Sequence, residues 1–225
     1  MKTIVFAATK GGTGKTSLCF NVAIEASRKH QVLIADLDPQ RSLKGMWDKR
    51  GDMLNPRLVS NVQSLGQSVK LLTEAGYDRE FMFVDTPGSL MPVIRDALSA
   101  ADLIVLPVQP SPMDWAAQEA VADLVDSMGL TDRALFVINR VEGRSDLLDR
   151  AKSFFELRTR FPIPVVKQRA DYARGVETGK AGFEVSNNKD AAKEIRELWE
   201  AIKAALAKSA KTKKEAKADD HKQLH

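Results

Sequence analysis

Short, almost uninterrupted apolar runs recur along the chain at residues 3–8, 32–35, 81–84, 103–106 and 134–138. Each is bounded by polar or turn-forming residues and is too short for a core helix. That is the pattern of parallel strands buried on both faces. The intervening stretches carry apolar residues at helical spacing. They predict helices over 16–29, 42–50 (with Leu43, Met46 and Trp47 on one face), 62–76 with a glycine stop, 92–100, Asp114 to about 128, 146–160 and 189–207. In the last of these, Ile195, Leu198, Trp199, Ile202 and Leu206 form the apolar stripe. Residues 57–60 and 163–166 read as two further short strands, and the prolines at 107, 110 and 112 predict a stiff loop without regular structure. Strands alternating with helices give an α/β fold, a doubly wound, mainly parallel sheet with helices on both faces. Residues 1–207 are expected to form this one domain, and 208–225 a lysine-rich, disordered tail.

Composition narrows the class. Hydrophobic residues make up 44% of the 225 and charged residues 28%, which suits a folded globular chain and excludes global disorder. No apolar run approaches the roughly 20 residues that span a bilayer, and Met1-Lys2 leads directly into a strand, so a cytoplasmic location is expected. The lone Cys19 permits no intramolecular disulfide and no multi-cysteine metal site. A net charge of +4 is modest, but the last stretch concentrates lysines at 208, 211, 213, 214, 217 and 222, which can hold polyanions or simply be solvated.

The chemistry begins at residues 9–17, T-K-G-G-T-G-K-T-S, between the first strand and the first helix. Glycines at 11, 12 and 14 let the backbone approach an anion, and N–H groups of Gly11, Gly12, Thr13 and Gly14 with the helix N-terminus at Ser17 can surround a phosphate. Lys15 would reach the β- and γ-phosphates and Thr16 would ligate Mg²⁺. The usual P-loop has glycine where this chain has Thr9, so Lys10 stands out in a variant loop. Phe81-Met-Phe-Val-Asp85 is a strand ending in a carboxylate, the second signature of P-loop nucleotidases, in which the aspartate holds Mg²⁺ directly or through water. Asp36 and Asp38, two apart at another strand end, point the same way. One would orient the attacking water and the other the metal's water shell.

K-G-G-T-G-K-T-S, D-L-D-P-Q, F-V-D-T-P-G and L-P-V-Q-P-S-P, in this order and spacing, resemble the ParA/MinD superfamily of deviant Walker A ATPases from residue 3 to about 207. With the first strand at the start of the chain, the resemblance is to the small ParA proteins that lack an N-terminal helix-turn-helix domain. It implies an ATP-dependent homodimer with ATP and Mg²⁺, in which Lys10 crosses to the partner's phosphates, Asp38 is the catalytic aspartate and Asp36 lies with the metal. It also implies adenine contacts around Pro107, Asn139 and Arg140. Nonspecific DNA binding is expected through basic residues near the C-terminal helices, with Arg169, Arg174 and Lys193 the candidates, and so is nucleoid association. A partner protein with a basic segment would stimulate a weak ATPase, and the cargo would be a plasmid, a chromosome region or a protein cluster. Two other readings are a MinD-like membrane-surface regulator, against which stands the scarcity of bulky apolar residues after Leu206, and a metabolic ligase of the dethiobiotin synthetase type.

Overall fold

The computed structural model describes residues 1–51, 54–77, 79–89, 91–143, 146–186 and 189–223, with side chains of the last helix described as far as Lys211. The strands are β1 (Lys2–Phe6), β2 (Val32–Asp36), β3 (Arg57–Val59), β4 (Phe81–Asp85), β5 (Leu103–Val108), β6 (Ala134–Val141) and β7 (Val165–Lys167). They form one seven-stranded sheet in the order β3-β2-β4-β1-β5-β6-β7, parallel throughout. The helices among the described residues are α1 (Lys15–Ser27), α2 (Ser42–Arg50), α3 (Leu65–Glu74), α4 (Met91–Ala100), α5 (Pro112–Ser127), α6 (Asp146–Glu156), α7 (Ala170–Thr178), α8 (Gly182–Val185) and α9 (Lys189–Gln223).

Side chains alternate across the sheet and so build two cores. Ile4 and Phe6, Ile34, Phe83 and Val105 face α1 and α9, meeting Leu18, Ile195, Leu198, Trp199 and Ile202. Val5, Leu33, Met82, Val84 and Ile104 face the opposite side, where Leu65, Ile94, Leu98, Val121 and Phe155 close over them. Each such side chain contributes about 1.5–3 kcal/mol on full burial. The apolar stripe of α9 is therefore engaged in the core, with Trp199 edge-on to Phe81 and His30.

The structure departs from the sequence reading in four places. Pro107 belongs to β5, paired in register with Val137, and is not in an irregular loop. Val105 accepts a hydrogen bond from Ala7 on the β1 side. Pro107, two residues on, faces the same side, where the β1 ladder has ended at Phe6, so its missing N–H leaves no acceptor unpaired. Helices α7 and α8 were not anticipated, and β7 begins at Val165, two residues late. Helix α9 runs past 207 to Gln223, with Lys208 Nζ donating to the Arg160 carbonyl and Ser209 Oγ to that of Asp132. The backbone of 208–223 is helical, as its Ala, Lys and Glu content favours, where a disordered tail was expected. The side chains of Lys213, Lys214, Lys217 and Lys222, and residues 224–225, lie outside the described set.

Candidate functional site

β1 sits at the centre of the sheet, and the chain leaves it toward β2 on one side and later returns to β5 on the other. Ligands of open parallel sheets bind at the carboxyl ends of strands flanking such a switch point. Here the loop 9–14 leaves β1 and turns into α1. Gly14 caps α1 in the left-handed region at φ 88°, and a Cβ there would lie 2.2 Å from Asn139 Nδ2, so both backbone and space demand glycine. At Gly11 nothing among the described residues would meet a Cβ within 4 Å. The open space above Gly11 belongs to a cleft of about 540 Å³ lined by Gly11, Gly12, Lys15, Thr16, Asp38 and Gly88. A second cleft of about 220 Å³ runs on along Thr13, Gly14 and Ser17 to Ser42 and Arg140. Lys15 is buried at the floor of this region.

Two strand ends bring carboxylates to the same edge, Asp36 and Asp85 being paired in register. Asp85 is fully buried and its Oδ2 accepts from Thr16 Oγ1 at 2.6 Å, while Oδ1 has no partner among the described residues. Burial pushes its pKa up to about 7, against the opposing pull of the Lys15 ammonium and the Thr16 hydrogen bond. A buried carboxylate with one orphan oxygen beside a threonine hydroxyl is a donor set that fits a hard divalent cation and its waters. Thr16 and Asp85 are the residues that would hold Mg²⁺. Asp36 is tied to the backbone on both oxygens. Its Oδ1 accepts from the Asp38 amide and its Oδ2 from the Lys44 amide, so it ties the β2 exit to the first turn of α2. Burial raises its pKa as well. Asp38 accepts from the Gln40 amide at 2.9 Å and lines the larger cleft.

The variant end of the loop is docked on α5. Thr9 Oγ1 donates to the Ala117 carbonyl, and Lys10 Nζ to Asp114 Oδ1 at 2.6 Å. Gln118 Nε2 donates to Ala7, just before the loop. Asp114 is nearly buried while the Lys10 side chain is 44% exposed, and Lys10 lines neither cleft. On the opposite flank, Gln109 Nε2 donates to the Gly12 carbonyl and Asn139 Nδ2 to that of Thr13.

Of the residues expected at adenine, Arg140 lines a groove of about 90 Å³ with Ser17, Lys167, Gln168 and Tyr172. Asn139 borders the same groove, but its amide nitrogen is engaged with the loop. Pro107 is buried in β5 and lines none of these three spaces. Among the basic candidates, Arg169 is corrected. It is largely buried and makes a two-pronged ion pair with Glu194, at 3.0 and 2.6 Å, so it has no free guanidinium for DNA. Lys193 lies 3.8 Å from Glu197 on the next turn. Arg174, Lys167 and Lys180 are exposed and form no ion pair among the described residues. Sequence reasoning passed over Asp114 as a lysine partner and over Gln109. Gln109 entered the sequence reading only as part of the L-P-V-Q-P-S-P motif, with no contact to the loop assigned to it.

A family model of the CobQ/CobB/MinD/ParA nucleotide binding domain matches residues 4–182. The chain belongs to this family. Within it, the maintenance of carboxysome distribution protein A of Halothiobacillus neapolitanus is 32% identical over 209 residues, spanning 87% of this chain and 94% of that protein. A putative plasmid partition protein of Borrelia burgdorferi B31, solved bound to AMPPNP, superposes with a TM-score of 0.68 at 19% identity, covering 92% of this chain and 98% of that one. The septum site-determining protein MinD of Pyrococcus horikoshii OT3, complexed with Mg-ADP, gives 0.70 at 17% identity over 89% and 95%. The fold expected from the motifs is therefore the fold of this nucleotide-binding family, and the MinD/ParA loop is the one that opens α1 here. Among the described residues, no helix is long and apolar enough to cross a membrane.

Proposed function

We propose that the chain is a ParA-type ATPase whose ATP-bound form pairs with a second copy, binds DNA nonspecifically and positions a cargo such as a plasmid, a chromosome region or a protein cluster. The observation that carries this reading is the place of Lys10. It stands at the rim of the phosphate loop, lines neither of the loop's clefts, and is held through its ammonium by Asp114. An ammonium so placed is available to another subunit's nucleotide once released, where it offsets charge on the transferring phosphoryl group. The N–H groups of the loop and Lys15 bind the β- and γ-phosphates. Mg²⁺, held through Thr16 and Asp85, would neutralise charge on the phosphate oxygens. Asp38 orients the attacking water across the cleft, a positioning role suited to a reaction that needs little proton abstraction. The partner protein, through a basic segment, accelerates a slow basal turnover, and hydrolysis returns the chain to the monomer.

For DNA, Arg174, Lys167 and Lys180, exposed and without an ion pair among the described residues, replace Arg169 as the phosphate contacts. Such binding is salt-dependent and sequence-independent. The relative named for carboxysome distribution supports a protein cluster as one class of cargo.

The test is sedimentation of the purified chain with DNA, and separately with anionic liposomes, in ATP, ADP and no nucleotide. ATP-dependent, salt-sensitive retention on DNA is expected. Retention on liposomes alone would favour a membrane-surface regulator. Failure on both surfaces, with turnover of a small-molecule acceptor, would favour a metabolic ligase.

A further inference from the structure

The phosphate loop is held from behind by two side-chain amides. Gln109, one residue past β5, donates Nε2 to the Gly12 carbonyl at 2.9 Å. Asn139, in β6, donates Nδ2 to the Thr13 carbonyl at 2.8 Å. These are successive peptide units of the same turn, gripped from two adjacent strands. A trans peptide is planar, so fixing a C=O in one direction fixes the following N–H in the opposite one. Fixing the Gly12 carbonyl orients the Thr13 N–H, and fixing the Thr13 carbonyl orients the Gly14 N–H. Neither of those N–H groups donates a hydrogen bond among the described residues. They are orphan donors on the residues that line the smaller phosphate cleft.

The grip is itself anchored. The Gln109 carbonyl accepts from the Trp115 indole Nε1 at 3.1 Å and from the Ser111 amide at 2.8 Å. Trp115 is nearly buried at the start of α5 and stacks on Phe154. Asn139 is buried within a strand and packed against Gly14. Glycines at 12 and 14 let this turn adopt more than one backbone arrangement, including ones in which a carbonyl would face the phosphates and repel them. We propose that Gln109 and Asn139 are positioning residues that hold peptides 12–13 and 13–14 with their N–H groups toward the nucleotide's phosphates. The assignment rests on the nucleotide reading above and adds to it a device for keeping the cradle in its binding form.

Gln109 is part-exposed, so its variants keep the core intact. Affinities for ADP, ATPγS and adenosine are measured by calorimetry for the full chain, Gln109→Leu and Gln109→Glu. Glutamate is nearly isosteric with glutamine but offers only acceptors when ionised, so it repels the Gly12 carbonyl. The expected order of ADP and ATPγS affinity is Gln above Leu above Glu. The loss is about tenfold for Leu, as befits one hydrogen bond, and larger for Glu, with adenosine binding and thermal midpoint unchanged. Equal affinity of Gln109→Glu and the parent chain would overturn the assignment, since a packing role tolerates the isostere. So would an equal loss for adenosine. If the parent chain bound no nucleotide, the nucleotide reading would fail on its own. A crystal structure of Gln109→Leu would then decide the grip, an unchanged orientation of peptide 12–13 overturning it and a turned carbonyl supporting it.

Discussion

The Lys10–Asp114 contact makes a prediction about dimerisation whose sign is not obvious. Lys10 is half exposed, which weakens the pair through solvent screening, but Asp114 is nearly buried and the 2.6 Å contact is a charge-assisted hydrogen bond. Exposed pairs contribute up to about 1 kcal/mol and hydrogen bonds to charged groups about 1.5–3, so roughly 1 kcal/mol is a reasonable discounted value here. If Lys10 must leave Asp114 to reach a partner's phosphates, a symmetric dimer opens two such contacts, at a cost of roughly 2 kcal/mol. Asp114→Asn removes the charge while keeping the shape, and should tighten the ATP-bound dimer by up to about 30-fold. Analytical ultracentrifugation with ATP, in an Asp38→Ala background that slows hydrolysis, measures the dimer dissociation constant directly. Loss of the acidic residue from the first turn of α5 lowers helix stability by only about 0.3–1 kcal/mol, which a melting curve would register separately. An unchanged or weaker dimer in Asp114→Asn would refute the reasoning and make Asp114 a support for the interface.

Other substitutions test the rest of the site. Lys15→Ala should abolish nucleotide binding in calorimetry, whereas Asp38→Ala should bind ATP, remain dimeric and lose phosphate release; parent-like turnover in Asp38→Ala would remove that residue from the reaction. Because Asp85 has a folded pKa near 7 against a reference of 3.8, its contribution to stability is full below pH about 4 and is lost as pH rises through 7. That loss is at most about 4 kcal/mol, so urea unfolding of nucleotide-free Asp85→Asn should show a flatter pH profile than the parent and a higher midpoint at pH 8. A slope identical to the parent's would mean that Asp85 is not the titrating group. Lys180→Ala should lower the slope of DNA affinity against log salt by about 0.9, while Arg169→Ala should instead lower the melting temperature by breaking its pair with Glu194.

Much of this molecule was readable from its residues because its strands are uniform. A strand buried on both faces is an unbroken apolar run, and β2, β4, β5 and β6 each announce themselves that way. The phosphate loop is equally local, its glycines, Lys15 and Thr16 lying within a few positions of one another. What stayed hidden depends on contacts between distant residues. α7 and α8 have little apolar periodicity, because they pack through close backbone approach. A Cβ at Gly175 would sit 2.4 Å from the Lys180 carbonyl, and one at Gly182 2.4 Å from the Tyr172 ring. Arg169 looked like a surface cation until the fold set Glu194 beside it, and the hold of the Asp36 carboxylate on the start of α2 could not be read from the strand end alone. Asp114 and Gln109 reach the loop only because β5 lies next to β1, and strand order is not written in any one strand.

The indole of Trp115 is held at three points, by the Gln109 carbonyl at Nε1, by the stacked ring of Phe154 and by the guanidinium of Arg150 over its face. Its neighbours along the chain touch both sides of the nucleotide loop, Asp114 through Lys10 and Gln109 through Gly12. A rearrangement on either side changes the polarity around a nearly buried fluorophore. With Trp47 and Trp199 replaced by phenylalanine, Trp115 becomes an internal optical gauge at the junction of the two loop contacts, readable by emission wavelength without any attached label.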